Sequence, residues 1–176
     1  FVPVLVNTLS PAELVQYYIE DSSAEIVIAE SNLLPVLSEA LENGADIRLV
    51  VVANGEQPET FPVATVSWDD FVSQELPELA AADTHRDDMA FWMYSSGSTG
   101  RPKGIVHLQH DMPYTHLSYA EHVLKLTEND IVYSVPKIFF AYGFGNAVTF
   151  PFSVGAAVVL ASGRPEPGPI YDVIEE

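Results

Sequence analysis

The sequence predicts an α/β fold built from parallel βαβ units, and three observations predict it. Short apolar, β-branched runs at residues 2–6, 25–29, 47–52, 89–94, 131–135 and 156–160 alternate with stretches of helical periodicity. Turn residues and helix caps fall at the joints between these segments. Hydrophobic residues make up 48% of the 176 positions, enough to bury a core.

Taken in order, residues 2–6 read as a strand. Ser10 is placed to cap a helix whose first residue is Pro11, and Glu13 completes a Ser-x-x-Glu capping box. Leu14, Tyr17 and Tyr18 mark the apolar face. Residues 25–29 form a second strand, residues 33–41 a second helix closed by Asn43-Gly44, and residues 47–52 a third strand. Residues 53–88 are less regular. Asn54-Gly55 and Pro58 mark a loop, Ser67 caps a short helix over residues 68–76, and Pro77 opens an exposed acidic stretch. Residues 89–94 form a strand that enters a Gly/Ser loop, and residues 105–107 leave it as a second short strand, a hairpin-like connection. A helix over 112–126, a strand over 131–135, a helix over 144–154, a strand over 156–160, a loop over 163–169 and a last helix complete the pattern. The expected organisation is a βαβαβ segment at residues 1–80, an acidic link at 81–88, and a second segment at 89–176. There is no internal repeat and no low-complexity tract.

Composition excludes several classes. Twenty-five Asp+Glu against seven Lys+Arg give a net charge of −18, which disfavours nucleic acid and anionic membrane surfaces as partners. The surplus reads as a solvated acidic surface or as adaptation to high salt. No apolar run is long enough to span a membrane, and no basic leader opens the chain. The absence of cysteine excludes a disulfide framework, a thiol nucleophile and a cysteine zinc site, and fits a cytoplasmic protein. The chain opens on Phe1 without methionine and ends inside an amphipathic pattern, so a piece of a longer protein is expected, with apolar surface prone to self-association.

Most candidate motifs fail. His85-Arg86-Asp87 lacks the Asn of a kinase catalytic loop, because Trp92 stands there. His107, His110, His116 and His122 have no Asp/Glu set of ligand spacing with them, so no metal site is assigned. No G-x-S-x-G elbow is present. The carboxylates of Asp69-Asp70 and Asp87-Asp88 diverge as neighbours on any regular element.

One segment stands apart: Tyr94-Ser-Ser-Gly-Ser-Thr-Gly-Arg-Pro-Lys-Gly104. Its small side chains let backbone N–H groups approach a ligand closely, which suits oxyanions and phosphates above all. One of the chain's few cations, Lys103, lies within it. The spacing fails for a Walker P-loop, since Pro102 precedes and Gly104 follows the lysine, and it fails for G-x-G-x-x-G. A flexible linker is the remaining plain reading, but linkers do not sit between apolar strands.

The segment resembles the phosphate-binding signature of the adenylate-forming superfamily, which includes acyl- and aryl-CoA synthetases, luciferases and peptide-synthetase adenylation domains. That signature runs Tyr or Phe, Thr or Ser, Ser, Gly, Ser or Thr, Thr, Gly, any residue, Pro, Lys, Gly, and every position from Tyr94 to Gly104 matches. The resemblance implies that Ser95, Ser96, Gly97, Ser98, Thr99, Gly100 and Lys103 bind the phosphates of ATP, with Lys103 and Thr99 acting in catalysis. Lys137-Ile-Phe-Phe-Ala-Tyr-Gly-Phe-Gly-Asn146 is similar to the segment lining the aryl-acid pocket of benzoate- and 4-hydroxybenzoate-CoA ligases. By that likeness Phe140 gates the carboxylate, while Ala141, Tyr142 and Gly143 line the ring slot. From the residues alone, the same aromatics fit a core and the glycines a tight turn.

The likeness implies part of the large N-terminal domain of an aryl-CoA ligase. Such an enzyme uses ATP, an aromatic acid and CoA, with Mg2+ held mostly by residues absent from this chain. It also implies that the piece alone is inactive, because the family's Tyr-Gly-x-Thr-Glu segment, ribose-binding Asp and C-terminal lysine have no match here. The alternatives are a non-catalytic nucleotide- or acid-binding module, or an adenylating enzyme for fatty or amino acids.

Overall fold

The structure, a computed structural model, describes residues 1–73, 80–95, 100–161 and 163–175. The chain divides into two compact units, one of Val6–Ala82 and one of Phe1–Leu5 with Asp83–Glu176. Strand β1 (Val4–Leu5) opens the chain and belongs to the second unit.

In the first unit, helix α1 (Ala12–Ser22), strand β2 (Ile26–Glu30), a 3-10 turn at Ser31–Leu33, helix α2 (Leu34–Glu42) and strand β3 (Leu49–Ala53) follow one another. Strand β4 (Ala64–Ser67) and the short helix α3 (Trp68–Val72) complete it. The sheet is parallel, in the order β2-β3-β4. Its centre is β3, where Val50, Val51 and Val52 are all buried. Burial of three successive residues means that both faces of the strand are covered, as a central parallel strand requires. Each fully buried valine contributes roughly 1.5–3 kcal/mol. Val50 and Val52 join Ile19 of α1, Leu34 and Leu37 of α2, and Ala45 and Ile47 in one core. Asn43 ends α2, and Gly44 at φ +113 makes the turn that a side chain would strain.

Three details of this unit differ from the sequence reading. The cap of α1 is Pro11, not Ser10, and the helix begins at Ala12, so the Ser10–Glu13 capping box is out of register by one residue. The carbonyl of Pro11 accepts from the N–H groups of Leu14 and Val15 instead. Strand β4 is an element not anticipated; it pairs with β3 from Leu49↔Ala64 to Val52↔Ser67. Ser67 does cap α3, its Oγ accepting the Asp70 N–H at 3.0 Å and donating to the Asp70 carboxylate at 2.7 Å. The helix anticipated over 68–76 ends at Val72, with Ser73 as its C-cap; residues 74–79 lie outside the described residues.

The second unit holds strands β5 (Met89–Ser95) and β6 (Lys103–Leu108), joined as an antiparallel hairpin. Strand β1 lies parallel to β5, Val4 opposite Trp92 and Leu5 opposite Met93. The first strand therefore pairs outside the 1–80 segment expected for it. Residues 81–88, expected as an acidic link, are all exposed. The carbonyls of Arg86 and Asp88 accept from the N–H groups of His110 and Gln109, which binds this turn to the end of β6. Helix α4 (Asp111–Thr115) continues as a π-helix at His116–Leu124. Strand β7 (Ile131–Tyr133) pairs in parallel with β8 (Ala157–Val159). Between them run helix α5 (Ala141–Phe144), a π turn at Gly145–Thr149 and helix α6 (Phe150–Val154). Pro151 carries no N–H, so the ordinary helical ladder cannot run through it unbroken. Helix α7 (Pro167–Glu175) ends the described chain. Among the described residues no helix is long and apolar enough to cross a membrane.

Candidate active site

The hairpin sets the geometry of the candidate phosphate residues. Its register opposes Tyr94 to Gly104 and Ser95 to Lys103. Ser95 and Lys103 are thus cross-strand partners at the mouth of the loop. Lys103 is exposed. Gly100 has φ +121, a conformation that side-chain-bearing residues rarely adopt, and a Cβ there would meet no atom of the described residues within 4 Å. The glycine is demanded by the backbone. Ser96, Gly97, Ser98 and Thr99 lie outside the described residues.

The candidate acid residues occupy the first turn of a helix. The helix anticipated from residue 144 starts at Ala141, so Ala141, Tyr142 and Gly143 belong to α5 and Phe140 is its extended cap residue. The carbonyl of Lys137 accepts the Phe140 N–H at 3.0 Å, and the carbonyl of Phe140 accepts the Phe144 N–H at 2.8 Å. The rings of Phe139 and Phe140 lie 4.4 Å apart. Phe140 and Tyr142 stand 51% and 67% exposed, so both rings offer free apolar surface. Gly143 is buried, and a Cβ on it would lie 2.1 Å from the Lys137 oxygen and 2.6 Å from the Pro136 oxygen. Its role is therefore a close approach of helix to backbone, which the turn reading did not contain.

The two sets are joined by residues to which the sequence reading gave no role in the site. Phe91 of β5 is 7% exposed; its ring stacks on His107 of β6 at 4.6 Å and meets Phe144 of α5 at 4.8 Å. The strand that runs into Ser95 therefore also touches the helix that carries Gly143. Behind His107 stands Asp111. Its Oδ2 accepts from the Leu108 N–H and faces His107 Nδ1, each at 3.1 Å, and its Oδ1 lies 3.4 Å from His110 Nε2. The Leu108 N–H, with help from His107 and His110, holds the carboxyl below the usual aspartate range against the opposing effect of desolvation. Direct opposition of Phe91 and His107 follows from strand register, which hydrophobic patterning alone does not fix. Among the described residues no group of three His, Asp or Glu side chains can hold a metal ion.

Residues 1–176 match the family of AMP-binding enzymes along their whole length. The chain belongs to that family. A benzoate–CoA ligase of Thauera aromatica is 37% identical over 171 residues, covering 97% of this chain and 31% of the relative. A 4-hydroxybenzoate–CoA/benzoate–CoA ligase of Rhodopseudomonas palustris is 38% identical over 173 residues, covering 98% and 31%. Among solved structures, a benzoate CoA ligase from Burkholderia xenovorans LB400 superposes with a TM-score of 0.83 at 38% identity, covering 98% of this chain and 32% of that one. The α/β architecture is thus that of the N-terminal domain of adenylate-forming enzymes. The chain spans about a third of the length of the relatives it matches.

Proposed function

We propose that the protein containing this chain is an aryl-CoA ligase, a cytoplasmic enzyme that activates benzoate or a close derivative with ATP and passes the acyl group to CoA. The observation that carries the reading is the contact between Phe91 and Phe144, which ties the signature hairpin to the aromatic segment inside one unit. The similarity to benzoate- and hydroxybenzoate-CoA ligases supports it.

The chemistry has two steps. A carboxylate oxygen attacks the α-phosphorus of ATP, and the bond to the bridging oxygen breaks, releasing pyrophosphate. The CoA sulfur then attacks the acyl carbon and AMP leaves. Both steps build or shift negative charge, so the protein's work is alignment and charge neutralisation. In this reading the N–H groups and hydroxyls of Ser95, Ser96, Gly97, Ser98, Thr99 and Gly100 donate to the β- and γ-phosphates. Gly100, with no Cβ in the way, suits such an approach, and Lys103, exposed at the mouth of the hairpin, neutralises the departing pyrophosphate. Phe140, Ala141, Tyr142 and Gly143 form the acid's side of the site, where two exposed rings offer a flat apolar surface. In this reading Mg2+ is held mostly by residues outside this chain, and no step here runs through it.

Calorimetry of the full-length protein with benzoate, 4-hydroxybenzoate and hexanoate tests the substrate class. The aromatic acids should bind most tightly; tightest binding of hexanoate would overturn the aryl assignment. Lys103→Ala should lower the rate of adenylate formation by about a hundredfold or more while leaving benzoate binding in place.

A further inference from the structure

We propose that His107 is a positioning residue for the aryl acid: clamped by Asp111, its ring fixes Phe91, and through Phe91 it sets where Phe144 and the first turn of α5 stand. The proposal rests on the aryl-acid reading above.

His107 and Phe91 are direct cross-strand partners, so their side chains share a face of the hairpin. Their rings are 4.6 Å apart with planes 18° from parallel, and the same Phe91 ring lies 4.8 Å from that of Phe144. Phe144 is hydrogen-bonded through its N–H to the carbonyl of Phe140, so the supported residue and the candidate gate are one helical turn apart.

The imidazole is held from a second direction. Asp111 Oδ2 sits 3.1 Å from its Nδ1 and the same distance from the Leu108 nitrogen. A carboxylate can only accept, so the shared hydrogen belongs to Nδ1 and the ring's orientation is set. Asp111 is itself anchored at the start of α4, and the neighbouring His110 is fixed to the Arg86 carbonyl at 2.9 Å. A ring held at one nitrogen and along one face cannot turn away from Phe91. Removing it opens space beside the buried Phe91, so the ring that Phe144 of α5 leans on is free to shift. Lys103 lies four positions back along β6, ~13 Å away at strand spacing, so the phosphate end of the hairpin should feel little of this.

The test is steady-state kinetics of the full-length protein and two variants, with benzoate and ATP varied in turn. His107→Ala should raise the KM for benzoate about tenfold, the scale of a lost aromatic pair, with the KM for ATP within about twofold of wild type. His107→Phe, which keeps a ring against Phe91, should return the benzoate KM to within about threefold of wild type. Equal changes in both KM values, no change in either, or failure of His107→Phe to rescue would each overturn the proposal. Wild-type protein that turns over no aromatic acid would instead refute the reading of function, and the wild-type control separates the two failures.

Discussion

Gly143 and Gly100 are both required, for opposite reasons. At Gly143 the backbone conformation is ordinary and the space is missing, since a methyl group would run into the carbonyls of Lys137 and Pro136. At Gly100 no described residue crowds the Cβ position, and the conformation excludes a side chain. Gly143→Ala should therefore destabilise the fold by about 1–3 kcal/mol, measurable as a lower midpoint in chemical denaturation, because the helix must lift off the backbone beneath it. Asp111 carries a pH signature. Its carboxyl titrates below the usual range in the folded state, mainly because it accepts the Leu108 N–H. A depressed folded value means that its stabilisation is complete above the unfolded value and fades as pH falls through the folded one. The difference in melting temperature between wild type and Asp111→Ala should hold constant from neutral pH down to about pH 5 and shrink below about pH 4. A difference that grows on acidification would refute the assignment. The candidate phosphate and aromatic segments could be named from the sequence because each is a contiguous run. The support from Phe91, His107 and Asp111 was not, because it depends on which residues face each other across the hairpin and on a turn that follows it.

At the scale of elements, strands β2 and β3 of the first unit were legible because β-branched runs such as Val50-Val51-Val52 have no alternative in an α/β pattern. Strand β4 was hidden. Its four residues, Ala64 to Ser67, include Thr and Ser, and only pairing with β3 makes them a strand. The α1 boundary slipped by one residue because Pro11 can serve either as cap or as first helical residue, and sequence cannot choose between them. The Ser67 cap was legible and has a measurable weight. Ser67→Ala removes the acceptor of the Asp70 N–H at the start of α3 and should cost about 1 kcal/mol, checked by denaturant unfolding. The placement of β1 beside β5 was beyond the sequence, because two short apolar strands carry no label for their partner.

At the scale of the molecule, two features define what the chain can do. Its net charge of −18 leaves Lys103 as one of seven Lys+Arg, so a phosphate site here works against the surrounding field. Added salt screens that field: the Debye length falls from ~10 Å at 0.1 M to ~3 Å at 1 M. The second feature is incompleteness relative to the family, since these residues correspond to about a third of the relatives' length. Incubated alone with ATP, benzoate and Mg2+, the 176-residue chain should release no pyrophosphate above background. The central claim, that this hairpin and this aromatic segment serve one reaction, is tested most directly by benzoate-dependent exchange of pyrophosphate into ATP in the full-length protein. The account predicts exchange with benzoate that is abolished by Lys103→Ala; exchange driven by hexanoate or an amino acid but not by benzoate or its hydroxylated derivatives would contradict it.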